Sequence, residues 1–358
     1  MATDTQNRQP QAPRSLRIGG FRRSGDLQEL LGLLIMLALI VLVMTSLSAV
    51  FLTGRNLNNL LLASTTIGII AVFTTMLMIG GGLDLSVAST AALCGVVIGA
   101  LQEPLGLVGA ILASLVVGAG VGLLNGFLVT YVGINALITT LGMLSVARGM
   151  AFVLSDALTI PVFSVEPEQM DIYTQFANLS EGTVSLPILG EVPFPVVFTV
   201  GLFILGIFVL RFTTYGRAMY AIGGNEEASR LAGLPVRRYR MIAFTLSGLS
   251  AGVAGMFLTA RLYAADPRAA PSVELTVITA VVLGGTSLAG GKGSLLGTLL
   301  GVVILSTLLN GLNLQSVSTE YQNIAQGVVL LLAVLIDQVR LGNVDIGIGR
   351  VRKWLARR

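Results

Sequence analysis

The sequence predicts an all-α polytopic membrane protein with about ten transmembrane helices and both termini cytoplasmic. Three observations predict it. Hydrophobic residues make up 54% of the 358 residues and charged ones only 11%, against the roughly 25% charged that is usual in soluble domains. Between residues 30 and 339 the apolar residues fall into nearly uncharged runs, each about the ~20 residues that a helix needs to cross the hydrocarbon core. The runs are continuous rather than alternating, which selects helices over barrel strands.

The spans are read as 30–52, 60–79, 85–102, 105–131, 137–155, 194–211, 241–260, 274–289, 294–314 and 322–339. Residues 1–26 carry Arg8, Arg14, Arg17, Arg22 and Arg23 and form too long a polar lead for a cleavable signal peptide. They read as a disordered basic cytoplasmic tail before a transmembrane domain over 27–340. After the second span comes Gly80-Gly81-Gly82-Leu83-Asp84-Leu85-Ser86. One reading is a broken helix presenting polar groups to a translocation path or gate. The other is a tight turn with Asp84 capping the next helix. Gly81, Gly82, Asp84 and Ser86 are therefore candidate path residues. The following spans hold the single cysteine, Cys94, best suited to small-residue packing, and a polar Asn125.

The fifth span carries Thr140 and Arg148. An arginine at membrane depth needs a partner, a wet cavity or a route to the headgroups. Arg148 is either a path or gate residue or a snorkelling one. Residues 156–193 contain no Lys or Arg, but carry Asp156, Glu166, Glu168, Asp171, Glu181 and Glu191 with several prolines. They read as an ordered, irregular external cap.

Residues 212–240 are the opposite case. Arg217, Arg230, Arg237, Arg238 and Arg240 place them on the cytoplasmic side. Within them, Gly224 or Asn225 offers a helix start, Glu226 and Glu227 suit its positive end, Arg230 follows at pairing distance, and Gly233 ends it. One short exposed helix is expected there. Later, Gly284-Gly285 echoes Gly81-Gly82, and Asn310-Gly311 echoes Asn125-Gly126, as in an internal duplication. Gly290-Gly291-Lys292-Gly293 is no phosphate loop, because Thr286 stands where the first glycine is required and Gly293 where Ser or Thr is. Residues 341–358 form a second basic cytoplasmic tail.

Composition narrows the function. With no histidine, His-ligated metals and His-based catalysis are excluded, and no catalytic cluster suggests a membrane enzyme. The net charge of +4 lies in loops and tails, where topology accounts for it, so nucleic acid is not an expected partner. An ion-coupled secondary transporter would need titratable residues in several helices, and few stand out beyond Asp84 and Arg148.

In this order the motifs resemble the permease subunit of ribose-type monosaccharide importers of the ATP-binding cassette (ABC) class, over roughly residues 30–340. Gly81-Gly82-Leu83-Asp84-Leu85-Ser86-Val87 resembles the family's G-G-I/L-D-L-S-V. Asn125-Gly126, Thr140-Leu141-Gly142 and Arg148-Gly149 resemble its central segment. Ala221-Ile222-Gly223-Gly224-Asn225-Glu226-Glu227-Ala228 resembles its cytoplasmic signature, and Gly284-Gly285-Thr286 its late glycine motif. Ile134-Asn135-Ala136-Leu137-Ile138 departs from the family's I-P-P-F-I, and Val87-Ala88-Ser89 from its V-G-S.

The resemblance implies a bacterial inner-membrane transport subunit, not an enzyme, with no cofactor of its own and ATP on a cytosolic ATPase partner. It implies a second permease subunit, as homo- or heterodimer, and an extracytoplasmic sugar-binding protein. Gly224, Asn225, Glu226, Glu227, Ala228, Arg230 and Gly233 would form the coupling helix to the ATPase, and Asn125, Thr140, Arg148, Gly284 and Gly285 would join the path. Related branches carry branched-chain amino acids or nucleosides; the run from Ala221 to Asn225 looks more like the sugar branch.

Overall fold

Apolar helices account for most of the chain. The computed structural model describes residues 25–163, 167–187 and 190–340. The two expected tails lie outside the described residues, except that Gly25 and Asp26 open the first helix. The helices are α1 (Gly25–Leu47), α2 (Gly54–Ile79), α3 (Val87–Phe127), α4 (Ala136–Leu154), α5 (Pro167–Glu181) and α6 (Phe194–Phe212). They continue with α7 (Thr214–Gly224), α8 (Glu226–Leu231), α9 (Val236–Leu262), α10 (Val273–Leu283), α11 (Leu295–Leu314) and α12 (Thr319–Arg340). Four short strands, β1 (Ile160–Pro161), β2 (Thr183–Leu186), β3 (Gly190–Pro193) and β4 (Ala264–Ala265), make two antiparallel pairs, β1 with β4 and β2 with β3.

Eight of the described helices are long and apolar enough to cross a membrane. One of them, α3 with its five-residue π-helical extension Leu128–Val132, runs 46 residues. A straight helix of that length would reach about 69 Å, more than twice the ~30 Å hydrocarbon core. It is instead a hairpin. Gly106 breaks it at φ 68° and ψ 164°, a conformation that an L side chain resists. Cys94 on one limb donates to the Ser114 carbonyl on the other at 3.2 Å, so the limbs run antiparallel. Two limbs in place of one, together with the short apolar α10, bring the passes to the ten that the sequence predicts.

The two ends of this bundle differ. At one, the loops after α2, α3, α6 and α10 meet, with Arg237 over the Tyr131 ring and Tyr220 bonded to the Gly293 carbonyl. At the other, Gln102 donates to the Pro161 carbonyl, Gln315 to the Leu47 carbonyl, and β1 pairs with β4. The first is the end rich in arginine, the second the end rich in acids. Ten alternating passes put the acidic segment 156–193 and the arginine-bearing segment 212–240 at opposite ends, as their charges predict.

The core lies between α2, the α3 hairpin, α9, α10 and α11, around Ile69, Ile70, Phe257, Val277, Val281 and Leu305. The α3 limbs and α9 approach until only glycines fit: a Cβ at Gly122, Gly248 or Gly255 would strike backbone oxygen of Phe244, Gly118 or Ala91. Small-residue seams of this kind let helix backbones touch in a membrane. On the other flank, Asn56 of α2 and Asn310 of α11 exchange amide hydrogen bonds at 2.9 and 3.0 Å. α1 touches the bundle through α11, with Met44 over Gly311, and leaves Leu34, Ile35 and Leu42 outward.

Three segments differ from the sequence reading. The cap over 156–193 is more regular than expected, holding α5 and the β2–β3 hairpin, with Phe176 buried in one cluster with Ala260 and Ala265. Residues 212–240 contain α7 as well as the expected short helix. The span read as 274–289 stops at Leu283, because Gly284 caps it. At 11 residues α10 reaches only about 16 Å, and the loop 284–294 packs beside the end of α2 and the start of α11.

Candidate functional site

Two glycine loops and the connection around α7 and α8 converge at the arginine-rich end. α2 closes with Gly80 as its cap; Gly81, at φ +76°, donates to the Met78 carbonyl, and Gly82 to that of Leu77. α10 closes in the same way, with Gly284 as cap, Gly285 at φ +87° donating to Val282, and Thr286 to Val281. These are matching Schellman endings. The expected echo is present, but one residue out of register: Gly80-Gly81, not Gly81-Gly82, matches Gly284-Gly285. Asn125 and Asn310 are not equivalent, since Asn125 lies at the end of the second limb after its glycine loop and Asn310 in the first helix after the other.

Asp84 is buried and organises the first loop. Its Oδ1 accepts from the Ser86 N–H at 2.9 Å and the Ser86 hydroxyl at 2.6 Å. Its Oδ2 accepts from the Ser247 hydroxyl of α9 at 3.0 Å. The Asn125 amide donates to Ser86 Oγ at 2.9 Å. Burial pushes the Asp84 carboxyl pKa up, and the bonds from Ser86 and Ser247 oppose it. Of the two sequence readings, the tight turn describes this geometry, but Asp84 does not cap the next helix: Ser86 is its N-cap residue, and Asp84 binds Ser86 instead of the amides of the first turn. The network also fastens the loop to both α3 and α9. Ser247 is a member that the sequence did not single out, since a serine in an apolar run has many uses.

The loops touch each other. Gly291 donates to the Ile79 carbonyl at 2.8 Å, and Gly223, near the end of α7, sits between them. The neighbouring Gly80 carbonyl accepts from Arg240 Nε at 3.1 Å. Ile79 and Gly80 thus find donors for carbonyls that a helix end leaves unpaired.

α8 follows directly. Asn225 is its N-cap, accepting from Ala228 N–H at 2.8 Å, while Gly224 belongs to α7. Glu226 and Glu227 stand in the first turn, and Arg230 reaches them at 2.9 and 3.7 Å. Gly233, at φ +82°, donates to the Arg230 carbonyl, and Leu234 to that of Ser229, a third Schellman closure. Ser229 is buried, whereas Ala228 and Glu227 are exposed, and Leu231 is 81% exposed.

The two remaining candidates stand elsewhere. Thr140, one turn into α4, is buried and donates to its own helix at Ala136. Arg148 lies toward the acidic end. Its Nη1 donates to the carbonyls of Pro267 at 2.6 Å and Ala269 at 3.0 Å, so it holds the loop between β4 and α10. That loop has Ala270 and Ser272 in left-handed backbone, a strained arrangement that surrounding contacts must maintain. Hydrogen bonds to charged groups are worth about 1.5–3 kcal/mol. Arg148→Met is therefore expected to speed amide exchange over 266–272 by about tenfold or more, read by hydrogen–deuterium exchange mass spectrometry; unchanged exchange would show that the loop holds itself.

Between α10 and α12 lies a cavity of about 120 Å³, lined by Ser272, Thr279, Asn323 and Gln326 among Leu275, Gly327 and Leu330. Its polar lining is uncharged, and the sequence reading had not included it. Among the described residues no group of three or more acidic or cysteine side chains could hold a metal.

Residues 56–334 match the family model described as the branched-chain amino acid transport system / permease component. The chain belongs to this family. It is a transport subunit and a multi-pass membrane protein. It is 42% identical over 306 residues to the ribose import permease protein RbsC of Escherichia coli strain K12, covering 85% of this chain and 92% of that one. To the L-arabinose ABC transporter permease protein AraH of Azospirillum brasilense it is 41% identical over 298 residues, 81% and 82% of the two chains. RbsC of Bacillus subtilis matches at 38% over 315 residues, 88% and 94%. This permease combines a helical bundle with the short exposed helix α8 at its arginine-rich end.

Proposed function

We propose that this permease carries a ribose- or arabinose-like monosaccharide into a bacterial cell, as the membrane subunit of an ABC importer. The observation that carries the proposal is the identity of about two residues in five with permeases named for ribose and arabinose, along most of both chains. In this reading residues 27–340 form the permease domain in the inner membrane and the tails 1–26 and 341–358 face the cytoplasm. The cap over 156–193 receives a sugar-binding protein. A cytosolic ATPase, which holds the ATP, docks on α8, and a second permease subunit completes the pathway. No cofactor is bound by this chain.

The test is purification of the complex in mild detergent, followed by ATPase assays with the companion binding protein and ribose or arabinose. A stoichiometric ATPase stimulated by one sugar is the expected result. A stable permease without ATPase, active in ATP-free vesicles, would overturn the reading in favour of a secondary transporter.

Leu231 gives a sharper check of the docking surface. An exposed leucine buried by a partner contributes about 1.5–3 kcal/mol. Leu231→Asp is expected to weaken ATPase binding by about tenfold or more, with permease yield unchanged because the side chain contacts little of its own subunit. Binding as in the natural chain would move the docking site away from α8.

A further inference from the structure

The basic end of the bundle holds many arginines, and most are what membrane topology requires. Arg237 and Arg238 are exposed. Arg240, one turn further along α9, is different: its side chain is only 19% exposed. Its Nη1 meets Glu226 Oε2 of α8 at 2.6 Å, while its Nε donates to the Gly80 carbonyl at 3.1 Å. Its third nitrogen, Nη2, lies beside Gly81, where it would be 3.4 Å from an added Cβ. One planar group thus joins the exposed helix to the end of α2.

The two carboxylate oxygens of Glu226 divide their work. Oε1 pairs with Arg230 inside α8, and Oε2 with Arg240. Among the described ion pairs, this is the one that leaves α8. On the far side, Ile79 and Gly80 offer adjacent carbonyls at the negative end of α2. One takes the N–H of Gly291 from the second glycine loop, and the other takes Arg240. A displacement of Glu226 therefore reaches the end of α2 through one side chain, and from there the loop that leads into α11 through the bond between Ile79 and Gly291.

We propose that Arg240 is a positioning residue that transmits movement of α8 to the two glycine loops, and so couples ATP use to opening of the sugar path. The inference rests on the proposed docking of an ATPase at α8. It also explains why arginine stands here. A guanidinium presents donors in a fixed fork toward two acceptors, whereas a lysine ammonium, a single point of charge, serves one side or the other.

The experiment uses the whole transporter in proteoliposomes, with its ATPase and its binding protein loaded with ribose or arabinose. Three quantities are measured: ATPase retained per permease, ATP hydrolysed, and sugar taken up per ATP. Arg240→Gln and Arg240→Lys are expected to retain the ATPase but to lose uptake per ATP by about tenfold, within the range usual for coupling between sites. Glu226→Gln breaks the pair from the other side and leaves α9 unchanged. Because Glu226 stands on the docking helix and also pairs with Arg230, it is read as uptake per ATP in the complexes that form, where the same loss is expected, and this keeps the test valid if the Arg240 variants fold poorly. Uptake per ATP equal to that of the natural chain would overturn the inference, and so would full coupling in Arg240→Lys, because charge alone would then suffice. Loss of ATPase from the Arg240 variants alone would also overturn it, reducing Arg240 to a support for the docking surface. If the natural chain itself retains no ATPase, the proposed function fails, and this inference fails with it.

Discussion

Replacing Gly223 by alanine is expected to lower the thermal unfolding midpoint by several degrees and to cut the yield of folded permease. A Cβ at this position would collide with the Ile79 carbonyl oxygen and the Gly291 nitrogen. Both are backbone atoms, so no rotamer change relieves the clash. The collision also pries apart the 2.8 Å bond between those two residues, which joins the glycine loops. Overpacking at tight sites costs about 1–3 kcal/mol and sometimes more; with two backbone obstacles the upper part of that range applies. Gly224 is the matched control. It is the next residue, it is exposed, and nothing lies within 4 Å of its added Cβ. Gly224→Ala should melt with the natural chain or slightly above it, since alanine restricts the unfolded state. Equal midpoints for the two variants would show that the three segments do not meet as described.

The second large effect is expected at Asp84, where the two obvious substitutions should diverge. Asp84→Ala removes the acceptor for the Ser86 N–H, the Ser86 hydroxyl and the Ser247 hydroxyl, all in a buried site. An unpaired buried donor costs about 1–3 kcal/mol, so a loss of several kcal/mol is anticipated, seen as a lower midpoint and poor membrane yield. Asp84→Asn keeps an oxygen for the Ser86 pair and turns its amide toward Ser247, whose hydroxyl can accept. The described ion pairs give Asp84 no cation, and a neutral side chain avoids the desolvation of a buried carboxylate. The asparagine variant should therefore match or exceed the natural stability. If alanine were tolerated and asparagine were not, the charge of Asp84 would matter in itself, as a path residue would require.

How much of this was legible in the chain depends on the range of the interaction. The long passes were readable because lipid demands uncharged runs, and the break near Gly106 showed as a gap between two of them. α5 and α7 were missed because short half-exposed helices lack that signal. α10 was read six residues too long because Gly284 and Gly285 look apolar while acting as a helix stop. Within the site, local chemistry was visible: Asn225 as a cap, Gly233 as a terminator, Asp84 beside Ser86. The partners that give these residues their setting were not. Ser247, Gly291 and Arg240 reach the first glycine loop from distant segments, and no spacing rule connects them. Arg148 was recognised as needing a partner, but its carbonyl acceptors at Pro267 and Ala269 follow only from the fold.

Cys94 adds a practical consequence. This single thiol has no exposed surface and is turned toward the Ser114 carbonyl inside the α3 hairpin. Water-borne maleimides reach thiols at the surface, so the natural chain already behaves as a cysteine-free background. A reporter cysteine placed at exposed Arg238 or Arg268 would carry the label alone, and spectroscopic probes could follow the two ends of the bundle through a transport cycle without first re-engineering its core.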